Sequence, residues 1–113
     1  MQITEHVRDG VLVLTVTGRL NFYSRKTFQA VMRHAEKSTT NHVVLNLRGV
    51  ESMDTVALGM LVLSQTRLSL KGIEMSLVEP QSGAREMLDV ANIPNLIPVY
   101  STEQAAIGIS MTV

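Results

Sequence analysis

Hydrophobic positions along the chain switch between two periods, and each switch marks an element. Val11–Thr17 alternates, with Leu12, Leu14 and Val16 on one face and Val11, Val13 and Thr15 on the other. Apolar residues on both faces predict a strand inside a sheet. Gln2–Val7 precedes it, and the Asp-Gly of Arg8-Asp9-Gly10 predicts a tight hairpin turn between the two. Gly18 is expected to end the second strand. Phe28, Val31, Met32 and Ala35 then fall at i, i+3, i+4 and i+7, one stripe of a helix. Asn21 or Ser24 is placed to cap that helix, because either side chain can accept a hydrogen bond from a free backbone N–H.

Val43–Leu47 is short and rich in Val and Leu, bounded by Thr39-Thr40-Asn41 and Arg48-Gly49, and is expected to be a buried strand. Asp54–Leu70 is long, largely apolar and free of proline. It predicts a helix with Asp54 as N-cap and Gly72 just past its end. Met75–Val78 is a strand stopped by Pro80, and Ala84, Met87, Leu88 and Ala91 repeat the helical stripe. Ile97–Tyr100 is expected to be an edge strand, since Pro98 cannot donate to a ladder. Ser101 with Gln104 three residues on forms a capping box for a last helix through Ile109. The order ββαβαβαβα, a hairpin and then alternating units, predicts an α/β fold: a mixed sheet of about five strands with about four helices as crossovers.

Composition narrows the chemistry. At roughly 150 residues per domain, 113 residues form one domain, expected to span 1–113 without a linker or repeat. Ten Lys and Arg balance ten Asp and Glu, so nothing marks a nucleic acid or an anionic membrane as partner. The chain has no cysteine, hence no disulfide, thiolate metal site or Cys nucleophile. Its apolar runs are too short to span a bilayer, and its first residues lack a basic-then-apolar leader. A cytoplasmic protein is the expectation. His6, His34 and His42 have no ligand spacing and are expected to be solvated, and no glycine-rich phosphate loop is present. The carboxylates Glu36, Glu51, Asp54, Glu74, Glu79, Glu86 and Asp89 are scattered, so no catalytic residue, metal site or cofactor is expected.

The informative stretch runs from Val43 through Asn46-Leu47-Arg48-Gly49-Val50-Glu51-Ser52-Met53 to Asp54-Thr55-Val56-Ala57-Leu58-Gly59-Met60. A buried strand passes through a short loop to Asp-Thr at the start of an apolar helix. Two readings stand. Asp54 is an N-cap and nothing more, or the Thr55 hydroxyl at the positive end of a helix is where a phosphate would be electrostatically favoured. Met53 and Met60 flank the pair, either in the core or on an adaptable binding surface. Arg19 and Arg25 border the first helix, as solvated charges or as contacts for an acidic partner. Phe22 and Tyr23 are two of only four aromatics, suited to anchor a partner if exposed.

Asn46-Leu47 followed by Met53-Asp54-Thr55 and Leu58-Gly59 resembles the signature of STAS domains, specifically bacterial anti-sigma factor antagonists. Thr17-Gly18-Arg19-Leu20-Asn21 is similar to that family's Thr-Gly-x-Leu-Asp, and Met87–Ile93 resembles its late helical region. The resemblance spans the whole chain. It implies a non-enzymatic switch that binds a Ser/Thr kinase acting as anti-sigma factor and is released on phosphorylation. A PP2C-type phosphatase would reverse the step. By position the phosphorylated hydroxyl is Thr55, with Asp54, Asn21 and Ser52 around it. The partner surface is then expected at Phe22, Tyr23, Ser24, Arg25, Met53, Val56, Ala57 and Leu58. Four residues depart from the pattern, in three places: Thr55 where Ser is commoner, Val56-Ala57 for Ser-Gly, and Asn21 for Asp. Those at Val56, Ala57 and Asn21 favour the alternative over a standard antagonist: a constitutive STAS scaffold subunit of a signalling or lipid-transport complex.

Overall fold

Asp9 and Gly10 both take left-handed backbone, with φ of 52° and 78°, which is what a two-residue type I′ hairpin turn requires. They join β1 (Gln2–Arg8) to β2 (Val11–Leu20) in an antiparallel pair. The computed structural model describes residues 1–111. After the hairpin come α1 (Arg25–Glu36), β3 (His42–Met53), α2 (Thr55–Leu70), β4 (Glu74–Val78), α3 (Ser82–Val90), β5 (Val99–Tyr100) and α4 (Glu103–Met111). The five strands lie in the order β1-β2-β3-β4-β5. All neighbours after the hairpin run parallel, so the sheet is mixed as predicted.

Strand alternation divides the core. Leu12, Leu14, Val16, Val43, Leu45, Leu47 and Leu77 share one face with Phe28 and Met32 of α1, Leu61 and Leu68 of α2 and Leu88 of α3. Each such side chain contributes about 1.5–3 kcal/mol by leaving water. Val11, Val13, Val44 and Val78 point to the other face and meet Ala106 and Ile107 of α4. Beside them the buried Asn46 amide donates to Glu103 Oε2 at 2.6 Å and Glu79 Oε2 at 2.9 Å. This polar pin orients α4, and Arg8 reaches the same Glu103 at 3.4 Å. Helix α2 ends as predicted. Gly72, at φ 74°, follows it, and Ile73 N–H closes onto Leu68 O at 2.9 Å, the Schellman stop.

Several boundaries differ from the sequence pattern. Neither Gly18 nor Arg48-Gly49 ends a strand: β2 and β3 stay paired through Leu20 and Met53, with two register shifts. Gly49 is there for close approach. A Cβ built on it would stand 2.5 Å from Thr17 Cγ2. β5 is reduced to Val99–Tyr100, with Ile97 buried ahead of it. The last helix is capped by Thr102, whose hydroxyl accepts from Ala105 N–H at 3.1 Å, and not by the Ser101–Gln104 box. Ala91, the end of the third helical stripe, lies past the close of α3 and is exposed.

His42 is not solvated. It opens β3 between two neighbouring strands, is 2% exposed, and places Nε2 2.8 Å from Ser76 Oγ. Burial lowers its pKa, against a smaller opposing pull from the Glu74 charge. The unfolded chain therefore takes up a proton that the fold resists. This contribution to stability is full above the ordinary His value near 6.5 and is lost as pH falls through the lower folded value. Urea denaturation from pH 7.5 to 5 should show a steeper loss for the wild type than for His42→Gln. Gly49→Ala should cost about 1–3 kcal/mol by overpacking, and adding Thr17→Ser, which removes the clashing methyl, should recover part of that loss.

Candidate functional site

The extra length of β2 and β3 brings two chain segments side by side at the end of the sheet. Leu20 is opposite Met53 in the register, so Asn21 and Asp54, the next residues, leave the sheet together. Each begins a helical turn. Asn21 Oδ1 accepts from Tyr23 N–H at 2.9 Å and Ser24 N–H at 3.2 Å, capping a 3-10 turn over Phe22–Ser24. Ser24 Oγ returns the bond by accepting from Asn21 N–H at 3.0 Å, and donates to Arg19 O at 2.9 Å. Of the two expected caps, Asn21 therefore serves the 3-10 turn. Ser24 sits at the N-cap position of α1 without a side-chain cap bond.

Asp54 caps α2 as predicted, Oδ1 accepting from Ala57 N–H at 2.9 Å. Its second oxygen does something the sequence did not reveal. Oδ2 accepts from Phe22 N–H at 3.2 Å, so one carboxylate holds the start of α2 and the 3-10 turn together. Thr55, first residue of α2, is exposed beside it. Phe22 is 46% and Tyr23 90% exposed, and their rings meet edge to face with centroids 5.6 Å apart. Arg25 lies over the Phe22 ring at 3.7 Å and donates to Phe22 O at 2.8 Å. A cation–π contact at such a site is worth about 0.5–1 kcal/mol, so Arg25 stiffens the aromatic pair.

The remaining candidates divide by burial. Val56 is exposed and Leu58 half-buried, both next to Thr55. Met53 and Ala57, expected on the partner surface, belong to the core instead. Met53 ends a strand that points it inward, and Ala57 lies on the inner side of the first turn of α2. Met60 is buried as well. Ser52 is exposed opposite Arg19 on β3, outside the helical turn that carries Thr55. A feature absent from the predicted set is an open groove of about 280 Å³ between α2 and α3, lined by Thr55, Leu58, Met87 and Val90 among others. Its sequence signal was Val90, an apolar residue off the α3 stripe that proves 79% exposed.

Among the described residues, no helix is long and apolar enough to cross a membrane, and no three His, Asp or Glu side chains gather as a metal ion would need. The arrangement offers an exposed hydroxyl at a helix N-terminus, flanked by a fixed aromatic platform and an apolar groove. Such a patch suits recognition by another protein.

The family profile of the STAS domain matches residues 2–106. A Paenibacillus polymyxa protein, an anti-sigma F factor antagonist, is 27% identical over 108 residues, covering 95% of this chain and 92% of its own length. A crystal structure from Thermotoga maritima superposes with a TM-score of 0.86 at 25% identity, over 94% of this chain and 92% of the other. The Bacillus cell-fate determinant SpoIIAA in its phosphorylated form shares the fold, with a TM-score of 0.72 at 16% identity, over 96% and 99% of the two chains.

The loop geometry makes a testable distinction at Asn21. Asn21→Ala removes the acceptor for two backbone N–H groups and should cost about 1 kcal/mol. Asn21→Asp keeps an acceptor and should stay within about 0.5 kcal/mol of the wild type. Urea denaturation of the three chains reads both values.

Proposed function

The chain belongs to the STAS domain family, and from that premise we propose that it is an anti-sigma factor antagonist controlled at Thr55. In this reading it is a binding module, not a catalyst. The unphosphorylated surface made by Phe22, Tyr23, Ser24, Arg25, Thr55, Val56 and Leu58 docks on a kinase-type anti-sigma factor, and a sigma factor is thereby freed. The observation that carries the reading is the exposed Thr55 hydroxyl at the N-terminus of α2, beside a carboxylate that holds an aromatic pair next to it. The antagonist role of the Paenibacillus relative supports the partner class.

Phosphorylation would proceed by attack of Thr55 Oγ1 on the γ-phosphorus of ATP held by the kinase. The new O–P bond forms as the bond to ADP breaks, and the hydroxyl proton passes to a base on the kinase. A PP2C-type phosphatase would return the hydroxyl and inorganic phosphate through attack by water. The phosphate brings about −1.5 to −2 charges. In the free protein this charge meets the positive end of α2, so the fold tolerates it. In an interface the same charge must shed water beside Asp54, which repels it. A penalty of about 3 kcal/mol lowers affinity roughly a hundredfold.

Calorimetric titration of the kinase with wild type, Thr55→Ala and Thr55-phosphorylated chain tests the switch, with melting curves as a control of the fold. Wild type and Thr55→Ala should bind alike, and the phosphorylated form about a hundredfold more weakly. Thr55→Glu, with less charge and a different shape, should reproduce the loss only in part. Phe22→Ala and Arg25→Glu should each weaken binding without unfolding. Equal affinity of the phosphorylated and wild-type chains would overturn the off-switch and favour a constitutive scaffold.

A further inference from the structure

Every backbone N–H from Asn21 to Arg25 has an acceptor, and the set is unevenly distributed. Asn21 N–H goes to Ser24 Oγ, Tyr23 and Ser24 N–H to Asn21 Oδ1, and Arg25 N–H to Phe22 O, all within the segment. Phe22 N–H alone crosses to another element, to Asp54 Oδ2 at 3.2 Å. The 3-10 turn is thus internally complete and is registered on α2 through one carboxylate. That carboxylate belongs to the residue preceding Thr55 and spends its other oxygen on Ala57 N–H.

We propose that Asp54 is a positioning residue that transmits the phosphorylation state of Thr55 to the Phe22–Tyr23 pair. A phosphate on Thr55 places a second, larger negative charge beside the Asp54 carboxylate and competes for the N–H groups at the start of α2. Repulsion turns the carboxylate away, Phe22 N–H loses its acceptor, and the 3-10 turn comes free of α2 as a unit. Its internal caps survive, so the aromatic pair shifts without unfolding. The off-state then differs from the on-state in two ways: an added charge, and a displaced aromatic platform. This inference rests on Thr55 being the modified residue, but the coupling itself is a property of the chain alone.

Amide hydrogen exchange on the full-length chain, followed by NMR, tests it without any partner. Three proteins are compared: wild type, Asp54→Asn, and the chain with phosphothreonine placed at position 55 during translation. Asn at position 54 offers one acceptor oxygen where Asp offers two. It can keep the cap on Ala57 while losing Phe22. The Phe22 amide should exchange about tenfold faster in both altered chains, with Tyr23 and Ser24 amides nearly unchanged. Kinase affinity should fall about tenfold for Asp54→Asn although the Thr55 hydroxyl is intact. Wild-type protection of Phe22 in either altered chain would overturn the proposal. Faster exchange of Phe22 in both chains, with unchanged kinase affinity for Asp54→Asn, would support the coupling and overturn instead the docking surface proposed above.

Discussion

The Asp54 carboxylate accepts from two backbones at once, and the geometry of the whole site follows from where that residue stands. Ala57 N–H fixes the first turn of α2, and Phe22 N–H fixes the 3-10 turn that precedes α1. The first bond is a local helix cap, but the second is possible only because β2 and β3 deliver Asn21 and Asp54 side by side, which the pairing of Leu20 with Met53 achieves. That pairing depends in turn on Gly49, because any side chain there would collide with Thr17 on the neighbouring strand. A small residue in mid-strand thus determines how a hydroxyl and two aromatic rings are presented several residues away.

The layout of the sheet explains why this end of the molecule is available. Helices α1, α2 and α3 cover one face and α4 the other, the latter held by Asn46, Glu79 and Glu103. The segment from Asn21 to Arg25 and the outer side of the first turn of α2, at Thr55 and Val56, are not enclosed by either layer. Rigidity there comes from hydrogen bonds and the Arg25–Phe22 stack, so the surface stays ordered while its aromatic rings remain exposed. Ordered aromatics lose little entropy on binding, which is what makes them effective anchors.

Much of the fold was legible in the chain because it rests on local signals. The Asp9-Gly10 turn, the α1 stripe and the Asp54 and Gly72 ends of α2 each follow from a few adjacent residues. What escaped was tertiary. Gly18 and Gly49 carry the ordinary marks of strand ends, and only the neighbouring strand shows that they are sites of irregular pairing and close approach. His42 follows a polar run, yet its place in a central strand buries it. At the site, Asp54, Thr55 and Asn21 stood out by type and order, and Phe22 and Tyr23 met the one condition set for them, exposure. Met53 and Ala57 did not, because proximity in sequence to Thr55 says nothing about which way a side chain points. The second bond of Asp54 spans 32 positions along the chain and left no local trace.

The central claim is that the 3-10 turn and the start of α2 act as one surface for a kinase-type anti-sigma factor. The most direct measurement is a hydrogen-exchange footprint of the chain with and without that kinase. Slowed exchange should be concentrated in amides 21–25 and 55–58 for the unphosphorylated chain and vanish when Thr55 carries phosphate. A footprint confined to β1 or α4, with those two segments exchanging as in the free protein, would contradict it.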